Sequence, residues 1–225
     1  MTRFLDRRKA LELRKLGKSY SQIKNELGVS KSTLSEWLKA YPLTKAQIDT
    51  LRGKSEIRIE KYRQTMRRKR EARLTSYYKE EKSKWIPLSK RELFLMGLFL
   101  YWGEGGKTHR NIVSINNTDP SVIKFAFYWL NEVCKVSREK IQVYLHLYSD
   151  MNITEAMAFW SKELQQPIQY FAKPYIKKSK RTDLDQKGFG HGTCGLRVYN
   201  TILKEHILVA IQVVADHYGE KLEKS

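Results

Sequence analysis

The chain has 225 residues, with 43 lysines and arginines against 24 aspartates and glutamates, so its formal charge is +19. This length suffices for one large or two small domains with a core, and the charge favours a polyanionic partner, most often nucleic acid. The sequence has no run of the ~18 apolar residues that a membrane-spanning helix needs, and its N-terminus lacks the apolar core of a secretory signal. Cys134 and Cys194 match no paired-thiolate spacing. We therefore expect a cytoplasmic, nucleoid-associated protein with reduced cysteines and no membrane partner.

The N-terminal residues carry the signals of three short helices. Leucines within 11–16 predict a first helix that Gly17 closes. Ser19 and Gln22 form a capping box that opens a second helix, and Ser30 is a good N-cap for a third. Helix, glycine turn and helix at this length form the helix-turn-helix pattern, and a plain helical hairpin is the alternative.

The segment Ser19–Leu38 resembles the helix-turn-helix of resolvases, transposases and phage regulators, where the spacing Ile-x-x-x-Leu-Gly-Val-Ser is typical. The resemblance implies that the exposed N-terminal side of the third helix enters the major groove of duplex DNA. Lysines there would contact phosphate, and hydroxyls would bond a base edge or the backbone. The implied DNA-binding residues are Lys31, Ser32, Thr33, Ser35 and Lys39. For Thr33, a second hydrogen bond at the helix cap is the alternative role.

Residues 44–86 are rich in charge and poor in apolar side chains, glycine and proline, which predicts a long basic helical linker. A plain surface helix is the alternative. One run within this linker is more basic than solubility requires, so we predict that it contacts phosphates. The run comprises Arg67, Arg68, Lys69 and Arg70.

An apolar segment, Leu93–Trp102, predicts a buried helix that begins at a capping box formed by Ser89 and Glu92. Its end is marked by the glycines of Gly103–Gly106, which surround Glu104. A carboxylate at the negative end of the helix dipole costs roughly 0.3–1 kcal/mol. A divalent cation would compensate that cost, and the alternative is an acid that simply points into water.

The remaining sequence mixes strand and helix signals and predicts an α+β domain. Its sheet would have one face covered by helices and the other free for a partner. A basic loop, Lys177–Gly192, interrupts the last strands. The predicted strands are Asn111–Ile115, Lys140–Tyr148, Ile168–Ile176 and Gly195–Asn200, and the predicted helices begin at Asp119-Pro120, cover Asn152–Gln165, and run from Thr201 to Tyr218.

The segment Leu98–Gly105 (LFLYWGEG), with the helix and strands around it, resembles a single-motif LAGLIDADG homing endonuclease domain. Gly103-Glu104-Gly105 stands where that family has Ala/Gly-Asp-Gly. The resemblance implies that two motif helices pack side by side and bring one acid each to the centre of the DNA site. Those acids hold divalent metal ions such as Mg²⁺ for phosphodiester hydrolysis. One motif per chain implies a homodimer on a near-palindromic site of double-stranded DNA.

The same resemblance nominates the site residues. Glu104 would be the metal ligand, and Lys107 or a basic residue of the Lys177–Lys187 loop would stabilise the phosphate charge. The free sheet face would lie along the DNA groove with Arg110, Asn116, Gln142 and His146, each of which has an ordinary surface role as its alternative. The nominated DNA-binding residues here are Arg110, Lys177, Lys178, Lys180 and Arg181.

The sequence thus predicts a helix-turn-helix domain over 1–43, a basic helical linker over 44–86 and a LAGLIDADG-like endonuclease domain over 87–225. The expected function is metal-dependent, site-specific cleavage of double-stranded DNA by a homodimer. The alternative is a non-catalytic DNA-binding transcriptional regulator that retains the same fold.

Overall fold

The computed structural model describes residues 2–51, 53–180 and 190–223, and its fold is mixed α+β as predicted. Contacts divide the chain into two compact units, Met1–Ile86 and Pro87–Ser225. The predicted helix-turn-helix segment and the predicted linker therefore lie in one unit. None of the helices among the described residues has the length and apolar character needed to cross a membrane. The nominated Arg181 lies outside the described residues.

The described part of the first unit consists of helices joined by short turns and contains no strand. Its second and third helices begin where the sequence signals predicted, because Ser19 and Gln22 close a reciprocal capping box and the Ser30 hydroxyl accepts from the Thr33 amide. Gly28 joins these helices with φ 69°, a left-handed conformation that favours glycine. The helices are α1 Thr2–Lys15, α2 Tyr20–Leu27, α3 Lys31–Leu38, α4 Lys45–Asp49 and α5 Lys54–Trp85.

Polar contacts attach the first half of α5 to the shorter helices. Arg14 and Glu60 form a buried ion pair with Nη2 to Oε2 at 2.9 Å. Arg63 donates to the same carboxylate at 3.0 Å and lies over the Tyr20 ring at 3.8 Å. Beyond residue 66 the helix is exposed on all sides. The first half of α5 therefore packs against the short helices, and its second half is exposed to solvent.

Glu60→Gln should lower the free energy of unfolding of the first unit by about 3 kcal/mol, because it leaves the buried Arg14 guanidinium without a compensating charge. Chemical denaturation of the full chain, followed by circular dichroism, measures the change. Glu71→Gln is the matched control, since its pair with Arg67 is exposed and worth about 0–1 kcal/mol. Equal losses in the two variants would contradict a structural role for the buried pair.

The second unit places helices against one face of a four-stranded sheet with the order β1-β4-β2-β3. The pairs β1–β4 and β4–β2 are antiparallel, and β2–β3 is parallel. The strands are β1 Ile112–Asn117, β2 Gln142–Tyr148, β3 Tyr175–Lys177 and β4 Thr193–Tyr199. The helices are α6 Lys90–Glu104, α7 Pro120–Tyr128 with a π turn after it, α8 Ile153–Leu164 and α9 Thr201–Glu223.

The core lies between the helices and the alternate strand residues that face them. Trp129 and Trp160 are its largest side chains. Gly97 lets α6 approach this core, because a Cβ at that position would collide with the Trp129 indole. Strand residues in the core include Val113, Ile115, Val143, Leu145 and Leu196.

Two predictions about the second unit were wrong. The strand predicted over Ile168–Ile176 is a 3₁₀ turn at Ile168–Tyr170 followed only later by β3. Pro174 contributes to this break, because proline has no amide hydrogen for a ladder and restricts the residue before it. The helix predicted as buried, α6, buries only one side: Leu98 and Tyr101 face the core, whereas Phe99 is exposed.

Candidate nucleic-acid interface

The five residues that the sequence nominated lie on α3 or directly after it, and they differ in how available their side chains are to a ligand. The hydroxyls of Ser32 and Thr33 lie 2.8 and 2.9 Å from the Ser30 hydroxyl, so both belong to the helix cap. Lys31 and Lys39 are exposed and, within the described residues, have no hydrogen bond or ion pair. The lysines are therefore available to a ligand, while the cap occupies the two hydroxyls.

A cleft of about 530 Å³ lies between the end of α3 and the middle of α5. Its floor is apolar and includes Leu38 and Leu43. Its rim brings together nominated residues from both helices and adds two arginines that sequence reasoning missed. The basic residues that line it are Lys39, Arg63, Arg67, Arg70 and Arg73.

The basic run of α5 is divided by the geometry of the helix. Arg70 lines only the cleft beside α3, and Arg68 lines only a second depression with Lys45 and Lys61. Arg67 lies between them and lines both. Lys69 lines neither. Successive residues of a helix point about 100° apart, so a run of four cations cannot share one face. Arg67 is also paired with Glu71 at 3.0 Å, so of these two arginines Arg70 has the freer guanidinium group.

Glu104 is the last residue of α6 and is exposed to solvent. Its carboxylate has no hydrogen bond or ion pair with any described residue. The backbone after it joins the sheet, because Gly105 pairs with Ile115 and the Gly106 amide donates to the Ser114 carbonyl at 2.9 Å. The acid is thus held at the β1 edge of the sheet by the glycine turn that the sequence singled out.

Lysines compensate the negative end of α6. The Lys107 ammonium donates to the Trp102 carbonyl at 2.6 Å, which satisfies one of the free carbonyls at the helix end. This contact gives the nominated Lys107 a capping role in the free chain. Part of the positive charge that the sequence predicted at this end of α6 is therefore supplied by the Lys107 side chain.

Sequence reasoning missed Lys204, a fully buried side chain of α9. Its ammonium donates to the Tyr101 hydroxyl and to the Gly106 carbonyl, so it braces the turn that follows Glu104. Burial, together with the nearby Lys107, lowers the pKa of Lys204 below its usual value. Burial also raises the pKa of Tyr101 to about 12, so its hydroxyl remains a donor to Gly106. Lys204 lies on the same buried face of α9 as Ile207 and Ile211, but this spacing alone does not distinguish it from a surface lysine.

The sheet face opposite the helices is polar and aromatic. Strand register puts Ser114, Arg197 and Gln142 in one row across three strands. In the next row Asn116 and Tyr144 face each other across Gly195, where a Cβ would collide with both side chains. This row fixes the Tyr144 ring flat over the sheet, and its hydroxyl bonds Asn116.

Cations and rings alternate on that face. The Arg197 guanidinium lies 4.4 Å from the Tyr144 ring, and the Lys177 ammonium lies 4.8 Å from the Tyr148 ring. Burial and these two cations lower the pKa of His146, so the imidazole is neutral at physiological pH. In all four strands, the residues on this outward face include no aspartate or glutamate. The outward face of the sheet therefore combines positive charge with aromatic rings.

The other nominated residues lie beside this face. Arg110 is exposed immediately before β1, and Lys178 and Lys180 are exposed immediately after β3. Sequence analysis missed Arg197, whose position was hidden because β4 shows only as an apolar alternation. Of the predicted basic loop, Lys177–Gly192, the structure describes residues 177–180 and 190–192.

Within the described residues, no group of three or more potential metal ligands occurs. One copy of the chain supplies one carboxylate, that of Glu104, at the end of α6. Comparison of the sequence and structure with protein-family models, curated proteins and solved structures finds no match.

Proposed function

We propose that the chain is a site-specific double-stranded DNA endonuclease that acts as a homodimer and uses Glu104 of each copy as a ligand for Mg²⁺. The observation that carries this proposal is the exposed apolar side of α6, the helix whose last residue is Glu104. A nucleic-acid partner is supported by the formal charge of +19 and by the basic cleft and sheet face described above. Such a protein would associate with the nucleoid.

The exposed side of α6 has the spacing of a helix-pairing surface. Met96, Phe99 and Trp102 are 47%, 51% and 41% exposed and recur every three residues. The rings of Phe99 and Trp102 stack with centroids 6.0 Å apart, and Gly103 continues the same side. A helix that is apolar on all sides needs contacts on all sides, and α6 has them on one. A second copy of α6 would cover this surface and bring two Glu104 residues to one axis.

The donor chemistry at Glu104 fits a divalent cation shared between copies. Mg²⁺ is held by one or two carboxylates with phosphate oxygens and water completing its shell. Glu104 is exposed, unpaired among the described residues and placed at the negative end of α6, and each of these features favours a cation. When bound, the ion would polarise the scissile phosphate and lower the pKa of the attacking water. Lys204 would hold the Gly106 turn, and hence Glu104, in place.

The first unit supports recognition of duplex DNA. Its α2, glycine turn and α3 have the order and length of a helix-turn-helix, so α3 would enter the major groove. Lys39, Arg67 and Arg70 would then follow the phosphates beside the groove. In the second unit the sheet face with Arg197 and Lys177 would lie along the DNA. Selection of binding sites from a randomised duplex pool, followed by incubation with Mg²⁺, tests binding and cleavage together.

Arg70→Ala should reduce the slope of log K against log salt by about 1, because one phosphate contact with its released counterion is lost. Fluorescence anisotropy with a selected duplex across a salt series gives the slope. Lys79→Ala is the control, since Lys79 is exposed on α5 but does not line the cleft. If Lys79→Ala lowers the slope as much as Arg70→Ala does, the cleft has no special part in phosphate contact.

The second candidate function is a DNA-binding transcriptional regulator without nuclease activity. The contact between Lys107 and the Trp102 carbonyl favours it, because a lysine engaged as a helix cap does not face a scissile phosphate. The two candidates share every DNA contact and differ only in what Glu104 does. Binding of a selected duplex without cleavage in Mg²⁺ or Mn²⁺ would favour the regulator.

A further inference from the structure

Glu36 is an acid on the helix that would face DNA. It is the only aspartate or glutamate between Glu26 and Asp49 in a strongly basic chain. In the structure it lies on the outward side of α3, one turn after Ser32, whereas Leu34 and Leu38 face the core. A carboxylate at this position would approach the negatively charged backbone of DNA, so its presence requires an explanation.

Glu36 is also free to bond a ligand. It is exposed and forms no hydrogen bond or ion pair with any described residue, although Lys39 lies three positions further along the same helix. Glu26, on α2 of the same unit, differs in this respect, because it pairs with Lys18 at 2.5 Å. The carboxylate of Glu36 is therefore neither a cap nor part of a salt bridge in the free chain.

The position of Glu36 separates it from the predicted phosphate contacts. Ser35 and Lys39 line the arginine-rich cleft, but Glu36 does not. A carboxylate among phosphates would be repelled, whereas a carboxylate at the base edges can accept a hydrogen bond. In the major groove only cytosine and adenine present an amino donor, and adenine also presents the N7 acceptor beside it. An acceptor-only carboxylate therefore suits cytosine N4.

We propose that Glu36 is a specificity-determining residue that accepts a hydrogen bond from the N4 amino group of a cytosine in each half-site. The inference rests on the proposed binding of duplex DNA through α3 and adds the base that this helix reads. Glu36 also acts against wrong sites, because its charge is repelled wherever no amino donor meets it. A homodimer would read one such cytosine on each side of the axis.

Binding-site selection with the full chain tests this proposal directly. The wild-type protein should select a motif with one cytosine per half-site, and replacing that base should weaken binding by about tenfold to a hundredfold. Glu36→Gln should shift the preference at that position to adenine, since an amide both donates and accepts. Glu36→Ala should bind with no preference there. Glu26→Gln, an exposed acid of the same unit, should leave the motif unchanged.

Each result separates the inference from the function on which it rests. If the wild-type protein selects no motif, the proposed DNA recognition fails and the role of Glu36 fails with it. If the wild-type protein selects a motif and both Glu36 variants select the same one, the inference is overturned while the proposed function stands. Because Glu36 is exposed and unpaired, the variants should have the same thermal unfolding midpoint as the wild-type protein. This measurement checks that the variants fold.

Discussion

Glu104→Gln should slow Mg²⁺-dependent cleavage of a selected duplex by at least about 10³-fold, equivalent to ~4 kcal/mol of transition-state stabilisation. The substitution keeps the shape of the side chain but replaces a charged metal ligand with a neutral amide. Glu104 is exposed and unpaired among the described residues, so the fold should not change. Affinity for the duplex in the absence of metal should stay equal or rise slightly, because one negative charge near the DNA is removed.

A cleavage time course on labelled duplex with Mg²⁺, and with EDTA as the metal-free arm, gives the rate. Glu132→Gln is the control, since it removes an exposed acid of the same unit far along the sequence from the glycine turn. Full cleavage by Glu104→Gln would remove this residue from the chemistry. Loss of cleavage in both variants would point to a general effect of charge instead of a metal ligand.

Phe99→Glu should convert a dimer into a monomer. Full burial of a phenylalanine is worth about 1.5–3 kcal/mol, and Phe99 is 51% exposed, so an interface could bury about half of that value in each copy. A two-fold interface counts this twice, so the dissociation constant should rise about 10- to 10²-fold. The effect should exceed that range if the introduced charge is buried without a partner. The exposed half of the Phe99 side chain does not contact the core of its own chain, so the monomer should remain folded.

Sedimentation velocity over a concentration series measures the change. Ile153→Glu is the matched control, because Ile153 is 43% exposed on α8 and lies outside the proposed interface. If Phe99→Glu and the wild-type protein have the same oligomeric state, α6 does not pair two copies. Cleavage by the Phe99→Glu variant should fall together with dimerisation.

Local signals in the sequence located most element boundaries. Capping boxes at Ser19 and Ser89 begin helices as predicted, and Asp119 caps α7 by accepting from the Ser121 amide at 2.8 Å. These features depend on residues three positions apart or fewer, so one sequence suffices to find them. Asn152 caps α8 in the same way, by accepting from the Glu155 amide at 3.1 Å.

Contacts between residues that are far apart in the chain could not be predicted from the sequence. Arg14 and Glu60 are 46 positions apart, and Lys204 and Tyr101 are 103 apart. No local periodicity relates such pairs, and a lysine among isoleucines looks like a surface residue until the helix is packed. The two-sided apolar pattern of α6 predicted burial on both sides, because composition does not distinguish an apolar face that meets the core from one that is exposed in the single chain.

Site-specific cross-linking tests most directly whether two Glu104 positions meet across a dimer. Burial raises the pKa of the native thiols, to about 12 for Cys134, so a cysteine introduced by Glu104→Cys would be the reactive one at neutral pH. With a short bis-maleimide, Glu104→Cys should give a covalent dimer, and Thr154→Cys, exposed on α8, should not. A Glu104→Cys protein that stays monomeric under conditions where the wild type is dimeric would contradict the account.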